Sequence, residues 1–203
     1  MKILQTKTAP NPRRVRIFLA EKGIEVPYEE LDILKGLKTP EFTRLNPLPA
    51  RAGADPRRRH GDRRDHGDLP LFRGDEAGAG PVRQGRQAAR ADRDVEPAHG
   101  AGAAGSASLQ AFRHLHPAAA QLEVPQVPAW GEANKPKAQE VLRILDEELG
   151  KRRFIAGDEY SVADITALVA VDFTKPARVE RPPGLDNLAR WHQEVSARPS
   201  AKA

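Results

Sequence analysis

Few side chains of this 203-residue chain are grouped in a pattern that predicts chemistry by itself. The chain has no cysteine, which excludes disulfides, zinc ribbons and catalysis by a protein thiol. His114 and His116 stand close in sequence, but no further metal-ligand pattern accompanies them, so we expect no metal site. The clearest motif is Ser161-Val-Ala-Asp164, in which Ser161 can cap the backbone N–H three residues on and Asp164 can reach back to the first turn. This capping box predicts the start of a helix.

The positive charge of the chain is spread unevenly. Lys+Arg number 33 against 28 Asp+Glu, a net charge of +5, and hydrophobic residues make up 39%, below the usual share of about 45–50%. The stretch 51–107 holds 11 Arg against seven Asp and two Glu, and it contains no Lys, Ile, Asn, Thr or Tyr. Its composition is typical of a disordered, arginine-rich linker, or of a segment that binds nucleic acid. Phe72 is its one aromatic residue, so the stretch has few side chains on which bases could stack. We therefore expect no nucleic-acid partner.

The sequence contains no signal for a membrane or for export. No run approaches the roughly 18 apolar residues that a membrane span needs, so we expect no membrane partner. The first ten residues lack the apolar stretch of a signal peptide. We therefore expect a cytoplasmic protein.

The elements that position these side chains fall at the two ends of the chain. Residues 2–5 and 25–32 each predict a short strand, and the spacing of apolar residues over 13–22 predicts a helix that Gly23 ends. A strand, a helix and a strand within about 30 residues form a βαβ unit. Near the other end, residues 136–149 predict a helix ended by Gly150, and a final helix contains Leu188, Trp191 and Val195.

These two ends resemble the two ends of a cytosolic, bacterial-type glutathione transferase. TAPNPRRVRIFLAEKGI, KTPEF and LNP are similar to the opening of that family, and FIAGDEYSVADI and LARWHQEVSARPS are similar to its helical domain. The resemblance implies an α+β protein, with a thioredoxin-like βαβ domain over 1–78 followed by an all-α domain over 79–203. It also implies a homodimer, a small electrophile as second substrate, and glutathione as co-substrate with no other cofactor.

The resemblance assigns the activation of the glutathione thiol to the loop before the first helix. A hydroxyl or amide donor at the positive end of a helix stabilises a thiolate. Thr8 and Asn11 lie in that loop, whereas Ala9, nearest to the hydroxyl of serine-type relatives, has no hydroxyl. The choice between the two stays open, because Thr8 also fits an ordinary loop hydroxyl and Asn11 also fits a helix cap. Lys38 is the candidate for the glycine carboxylate of glutathione, or a solvated lysine.

The second substrate is assigned by the resemblance to the helical domain. Phe112, His116 and Trp130 are the candidates for lining an electrophile pocket, while the alternative for His114 and His116 is an ordinary pair of surface histidines. The resemblance gives Ser161 and Asp164 a structural role as a helix cap and no part in catalysis.

The family pattern breaks off over residues 49–107. The Val-Pro and Glu-Ser pairs expected there are absent, yet codons for residues 57–64 can be chosen that read DDGTVIAE from the second base. Similar family-like strings follow in the same register. We therefore expect a frameshift, with one net base gained near Leu48 and the frame restored near 106–109.

Three functions remain for the whole chain. The leading one is an enzyme that transfers glutathione to a small electrophile or uses it in a reduction. The second is a non-catalytic, glutathione-transferase-like binding protein, which the missing hydroxyl at Ala9 favours. The third is an arginine-rich nucleic-acid-binding segment between two structured ends.

Overall fold

The N-terminal residues form the βαβ unit that the sequence predicts. The computed structural model describes residues 2–33, 39 and 96–203. Strand β1 (Ile3–Gln5) and strand β2 (Tyr28–Glu30) run parallel, with Ile3 opposite Tyr28, and helix α1 (Pro10–Glu21) connects them. The strands are shorter than the predicted stretches. The 78/79 domain boundary and most of the arginine-rich stretch lie outside the described residues.

Helix α1 begins three residues earlier than its apolar spacing predicts. Pro10 and Pro12 both stand in its first turn, where a backbone N–H has no partner within the helix. Two prolines that would break a helix interior therefore cost α1 no hydrogen bond. At the other end Gly23 has a φ of +63°, the left-handed conformation that commonly follows a helix, so its predicted role as a stop is confirmed.

Four helices follow in the described C-terminal part of the chain. Their bounds are Glu96–Leu115 for α2, Pro128–Lys151 for α3, Val162–Phe173 for α4 and Asp186–Ser196 for α5, with short 3₁₀ turns at Pro117–Ala119 and Pro199–Lys202. Helix α2 packs against α3 and α4, and α3 also packs against α5. Within the parts of the chain that the structure describes, no helix is long and apolar enough to cross a membrane.

Helix α3 is longer at both ends than the sequence predicts. It starts at Pro128, carries Pro136 in its interior and continues through Gly150 to Lys151. The sequence predicts Pro136 as the first residue of this helix, whereas in the helix interior it removes one hydrogen bond. Buried residues lie on both sides of it, Gly131 and Ala138 among them, so packing of the helix face outweighs that loss.

Helix α4 lies at the centre of the core. Eight of its twelve residues are buried, and Leu168 and Val171 are fully enclosed. The same apolar cluster contains Trp191 from α5, Leu142 from α3 and Ile17 from α1. The βαβ unit and the helices therefore share one core, with α1 as the element that joins them.

The predicted capping box at the start of α4 is confirmed. Ser161 Oγ accepts a hydrogen bond from the N–H of Ala163 at 3.2 Å, and Asp164 Oδ2 accepts one from the N–H of Ser161 at 2.9 Å. Asp164 Oδ1 also accepts from the N–H of Ile155 at 3.0 Å and from Trp191 Nε1 at 2.8 Å. Burial raises the pKa of the Asp164 carboxyl, against the donors that favour its charged form. One carboxylate thus joins the start of α4 to the preceding loop and to α5.

Candidate functional site

The loop between β1 and α1 places Thr8 at the surface. The N–H of Ala9 donates to the carbonyl of Thr6 at 2.9 Å, and Thr6 Oγ1 donates to the carbonyl of Leu31 at 2.7 Å. The N–H of Lys7 donates to a Glu30 carboxylate oxygen at 3.1 Å. The loop is therefore fixed to the end of β2, and the Thr8 side chain remains exposed at its tip.

A polar network under this loop was missed by the sequence analysis. Arg16 donates to Gln5 Oε1 at 2.8 Å and to the carbonyl of Lys7 at 3.1 Å, and Gln5 Nε2 donates to Glu30 Oε1 at 3.0 Å. Arg16 is accordingly only partly exposed. It ties the middle of α1 to the strand and to the loop that precede the helix.

Asn11 lies inside the first turn of α1 and is not its cap. The cap position is held by Ala9, which makes no side-chain capping bond, so the cap interpretation of Asn11 is wrong. Asn11 Oδ1 accepts a hydrogen bond from Arg14, and among the described residues its Nδ2 group has no acceptor. Pro10 and Pro12 have no N–H, so Asn11 has the one backbone N–H of the first three helical positions.

The start of α1 therefore presents a small set of donors to an anion. These are the Asn11 amide, its backbone N–H and the exposed hydroxyl of Thr8. The positive end of the helix dipole and the guanidinium of Arg14 favour negative charge at this point. Lys38, the predicted partner of a carboxylate, lies outside the described residues, so its role stays a prediction.

The three candidates for the electrophile pocket lie along the end of α2 and the start of α3. The rings of Phe112 and His116 are stacked, with centroids 4.7 Å apart, and Phe112 also packs against Phe173 at 5.4 Å. Trp130 is 47% exposed, and its Nε1 donates to Gln110 Oε1 at 3.3 Å. The structure brings Phe112 and His116 together and leaves Trp130 exposed at the neighbouring start of α3.

The two histidines at the end of α2 do not form an ordinary surface pair. His114 is buried, and its Nδ1 accepts a hydrogen bond from the N–H of Val127 at 3.0 Å. His116 Nδ1 accepts from the N–H of Ala118 at 3.1 Å and caps the 3₁₀ turn. Both rings fix the backbone of the connection between α2 and α3. In the described ranges, no three His, Asp or Glu side chains are grouped so as to hold a metal ion.

An ion pair near the start of α1 joins it to the helical part of the chain. Arg13 donates to Asp172 Oδ2 at 2.6 Å, and His192 Nε2 donates to Asp172 Oδ1 at 2.6 Å. Arg13 also lies 3.4 Å from the carbonyl oxygen of Ala201. Burial raises the pKa of Asp172, but the hydrogen bonds from His192 and Arg13 outweigh it and hold the pKa below its ordinary value. Arg13 and Asp172 are 159 residues apart, so no local sequence signal reveals the pair.

A second ion pair holds the far end of α1. Arg198 donates to both carboxylate oxygens of Glu21, at 2.8 and 2.7 Å, and Ser200 Oγ donates to the same carboxylate. The Arg198 guanidinium lies 3.9 Å from the centre of the Tyr160 ring. The hydrogen bond from Arg198 outweighs burial and lowers the pKa of Glu21. Helix α1 is thus fixed to the helical part at both of its ends.

Comparison with known proteins agrees with this architecture. The family model for the C-terminal domain of glutathione S-transferases matches residues 123–199. The crystal structure of a glutathione S-transferase domain-containing protein from Marinobacter aquaeolei VT8 is 32% identical, with a TM-score of 0.73, over 98% of this chain and 99% of that one.

Two further relatives have the same family name. Glutathione S-transferase 2 of Saccharomyces cerevisiae is 30% identical over 92 residues, which is 45% of this chain and 40% of the yeast protein. A glutathione S-transferase of Methylobacillus flagellatus KT, solved with glutathione bound, is 26% identical with a TM-score of 0.65, over 99% of this chain and 96% of that one. Since the Marinobacter relative matches over nearly its whole length, this chain belongs to the glutathione S-transferase family, with a thioredoxin-like N-terminal domain and a helical C-terminal domain.

Proposed function

We propose that this chain is a glutathione transferase that activates the thiol of glutathione and conjugates it to a small electrophile. A related glutathione-dependent reduction would use the same activated thiol. Glutathione is the co-substrate of the family to which the chain belongs. The observation that supports the proposal is the start of α1, where Asn11 and Thr8 present donors at the positive end of a helix.

The chemistry requires only that the protein stabilise a thiolate. An ordinary thiol has a pKa of about 8.5, so little thiolate exists at neutral pH without help. Donors aimed at the sulfur and a positive local potential lower that pKa. The thiolate then forms a bond to an electrophilic carbon, and the leaving group departs with the bonding electron pair.

The second candidate function is binding of glutathione without catalysis. It is favoured by Ala9, which occupies the cap position of α1 and has no hydroxyl. In that case glutathione would be held, but its thiol would keep an ordinary pKa.

Two measurements separate these functions. We expect the chain to be retained on immobilised glutathione, and either to conjugate glutathione to an aryl halide or an epoxide or to reduce an organic peroxide to its alcohol while two glutathione molecules are oxidised to the disulfide. Retention without turnover of any of these substrates would favour the binding protein. Failure of both assays, in a protein shown to be folded by circular dichroism, would contradict both functions.

Three further features remain proposals. A homodimer is a general property of the family, and sedimentation equilibrium would test it for this chain. Phe112, His116 and Trp130 are proposed to line the electrophile site, and Lys38 is proposed to bind the glycine carboxylate of glutathione. Cytoplasmic localisation stays a prediction.

We also propose that residues 49–107 as written are an out-of-frame reading of the gene, and that the protein itself contains the family-like sequence there. The support is the family-like reading of that stretch from the second codon base, flanked by family sequence on both sides. Peptide mapping by mass spectrometry is the test. We expect the tryptic peptide DHGDLPLFR, residues 65–73, to be missing from the digest, and its recovery would overturn the frameshift.

A further inference from the structure

The first turn of α1 has few restraints of its own. Its cap residue, Ala9, has no capping side chain, and two of the first three helical positions are prolines without an N–H. The N–H of Arg13 reaches the carbonyl of Ala9 only at 3.4 Å, which is long for a helical hydrogen bond. The turn that holds Asn11 therefore depends on contacts made outside the helix.

Arg13 makes such contacts. It is two residues from Asn11, and it forms an ion pair at 2.6 Å with Asp172 in the last turn of α4. The second oxygen of that carboxylate is held by His192 from α5, also at 2.6 Å, so Asp172 is itself fixed in place. The side chains of Arg13 and Asp172 are 28% and 29% exposed, which protects the pair in part from screening by water and salt.

We propose that Arg13, held by Asp172, is a positioning residue that fixes the first turn of α1 and thereby aligns the thiol-activating donors. This inference rests on the proposed function, since it concerns the same thiol site. Arg13 acts through the backbone of α1 and does not touch the reacting atoms. Misplacement of such donors by about 1 Å can cost about a hundredfold in rate.

Asp172→Asn separates positioning from a direct effect of charge. Removal of a negative charge near the site would, by electrostatics alone, stabilise a thiolate and lower the pKa of bound glutathione. Loss of alignment instead predicts a rise in the pKa of bound glutathione. We expect Asp172→Asn and Arg13→Gln each to raise the apparent pKa of the bound thiol and to lower kcat/KM about tenfold or more at neutral pH.

The matched control is Glu21→Gln, at the other end of the same helix. It removes the ion pair with Arg198 and weakens the attachment of α1, but it leaves the Arg13–Asp172 pair at the first turn intact. We expect a fall in Tm similar to that of Arg13→Gln, with the thiol pKa unchanged. The thiol is titrated in each protein by its ultraviolet thiolate absorbance and by the pH profile of kcat/KM.

The double variant Arg13→Gln/Asp172→Asn should raise the thiol pKa no further than the more severe of the two single changes, because both single changes break the Arg13–Asp172 pair. If Arg13→Gln does not fold, Asp172→Asn and Arg13→Lys provide the same comparison. An unchanged thiol pKa in Asp172→Asn would overturn this inference and leave the proposed function intact. So would a rise of the thiol pKa in Glu21→Gln equal to the rise in Asp172→Asn. A wild-type chain that forms no bound thiolate would overturn the proposed function and the inference with it.

Discussion

Asn11 and Thr8 are held in different ways at the start of α1. The amide of Asn11 is oriented by Arg14, which occupies its oxygen and leaves the Nδ2 group to donate. Thr8 lies exposed in the preceding turn. Because a donor that is already held loses less conformational entropy when it binds, we expect Asn11 to be the more effective donor of the two.

We expect Asn11→Ala to lower kcat/KM for glutathione conjugation about tenfold to a hundredfold, and Thr8→Val to lower it less. A hydrogen bond to a charged group contributes about 1.5–3 kcal/mol, and a factor of ten in rate corresponds to about 1.4 kcal/mol. Steady-state kinetics at saturating electrophile would check the order. A larger loss in Thr8→Val would assign thiol activation to the hydroxyl.

At the residue scale, the sequence indicates which side chains lie near the site but not how they are held. The apolar spacing places the start of α1 three residues too late, and that start decides whether Asn11 caps the helix or lies within it. Arg13, by contrast, has its partner 159 residues away. Ion pairs between distant elements depend on tertiary packing, which no local pattern encodes.

At the scale of elements, the attachment of α4 depends on one buried polar group. Asp164 is fully buried and accepts hydrogen bonds from the start of its own helix, from the N–H of Ile155 and from Trp191. Its removal would leave these buried donors without a partner, and each such donor costs about 1–3 kcal/mol.

We expect Ser161→Ala to lower the free energy of unfolding by about 1 kcal/mol, the usual cost of a lost helix cap. Asp164→Ala should cost on the order of 3 kcal/mol or more, because several donors lose their acceptor together. Urea denaturation measures both. Asp158→Ala, an exposed change in the turn before α4, is the control and should alter stability by less than about 0.5 kcal/mol.

The crossing of α2 and α3 depends on the absence of a side chain at Gly131. A Cβ atom added there would lie 2.6 Å from Leu115 Cγ and 3.1 Å from the Cβ of His114. The close approach keeps the start of α3 beside the end of α2, where the candidates for the electrophile pocket lie.

We expect Gly131→Ala to destabilise the protein by about 1–3 kcal/mol through overpacking, despite the better helix propensity of alanine. Gly102 in α2 provides the matched control, since an added Cβ there meets no described residue within 4 Å. Gly102→Ala should therefore raise Tm. Thermal unfolding measures both changes. A lower Tm for Gly131→Ala together with a higher Tm for Gly102→Ala would support the packing argument, and a higher Tm for Gly131→Ala would contradict it.

At the element scale, the sequence predicts the helices better than their limits. The capping box marks the start of α4 within one residue, because its signal is local. Pro136 and Gly150 are misleading in α3, where contacts with α2 and α5 keep the helix intact across both residues. Tertiary packing overrides local propensity there.

In the part of the chain that the structure describes, ion pairs join α1 to the helical domain, and these pairs make the stability of the fold depend on pH. Glu21 in the folded protein has a lowered pKa because of Arg198, so its ion pair stabilises the fold above the pKa of an unfolded glutamate, about 4.3. That stability is lost as pH falls through the lower, folded pKa.

We expect Glu21→Gln to be less stable than the wild type at pH 7 and the difference to shrink as pH falls from about 5 to about 3. Urea denaturation at several pH values measures it. Glu25→Gln, an exposed change just beyond α1, is the control and should give no such convergence. A difference that stays constant down to pH 3 would show that the carboxylate charge of Glu21 does not contribute.

The contacts of α1 with the helical domain should also hold the protein together after its backbone has been cleaved. Ile17 lies fully buried in the core of the helices, while Arg13 and Glu21 are bound by Asp172 and Arg198 on either side of it. A protein cleaved once between residues 39 and 96 would therefore remain a single species in gel filtration. Its two fragments would separate only in denaturant, and mixing them again would be a way to reconstitute the fold from two polypeptides.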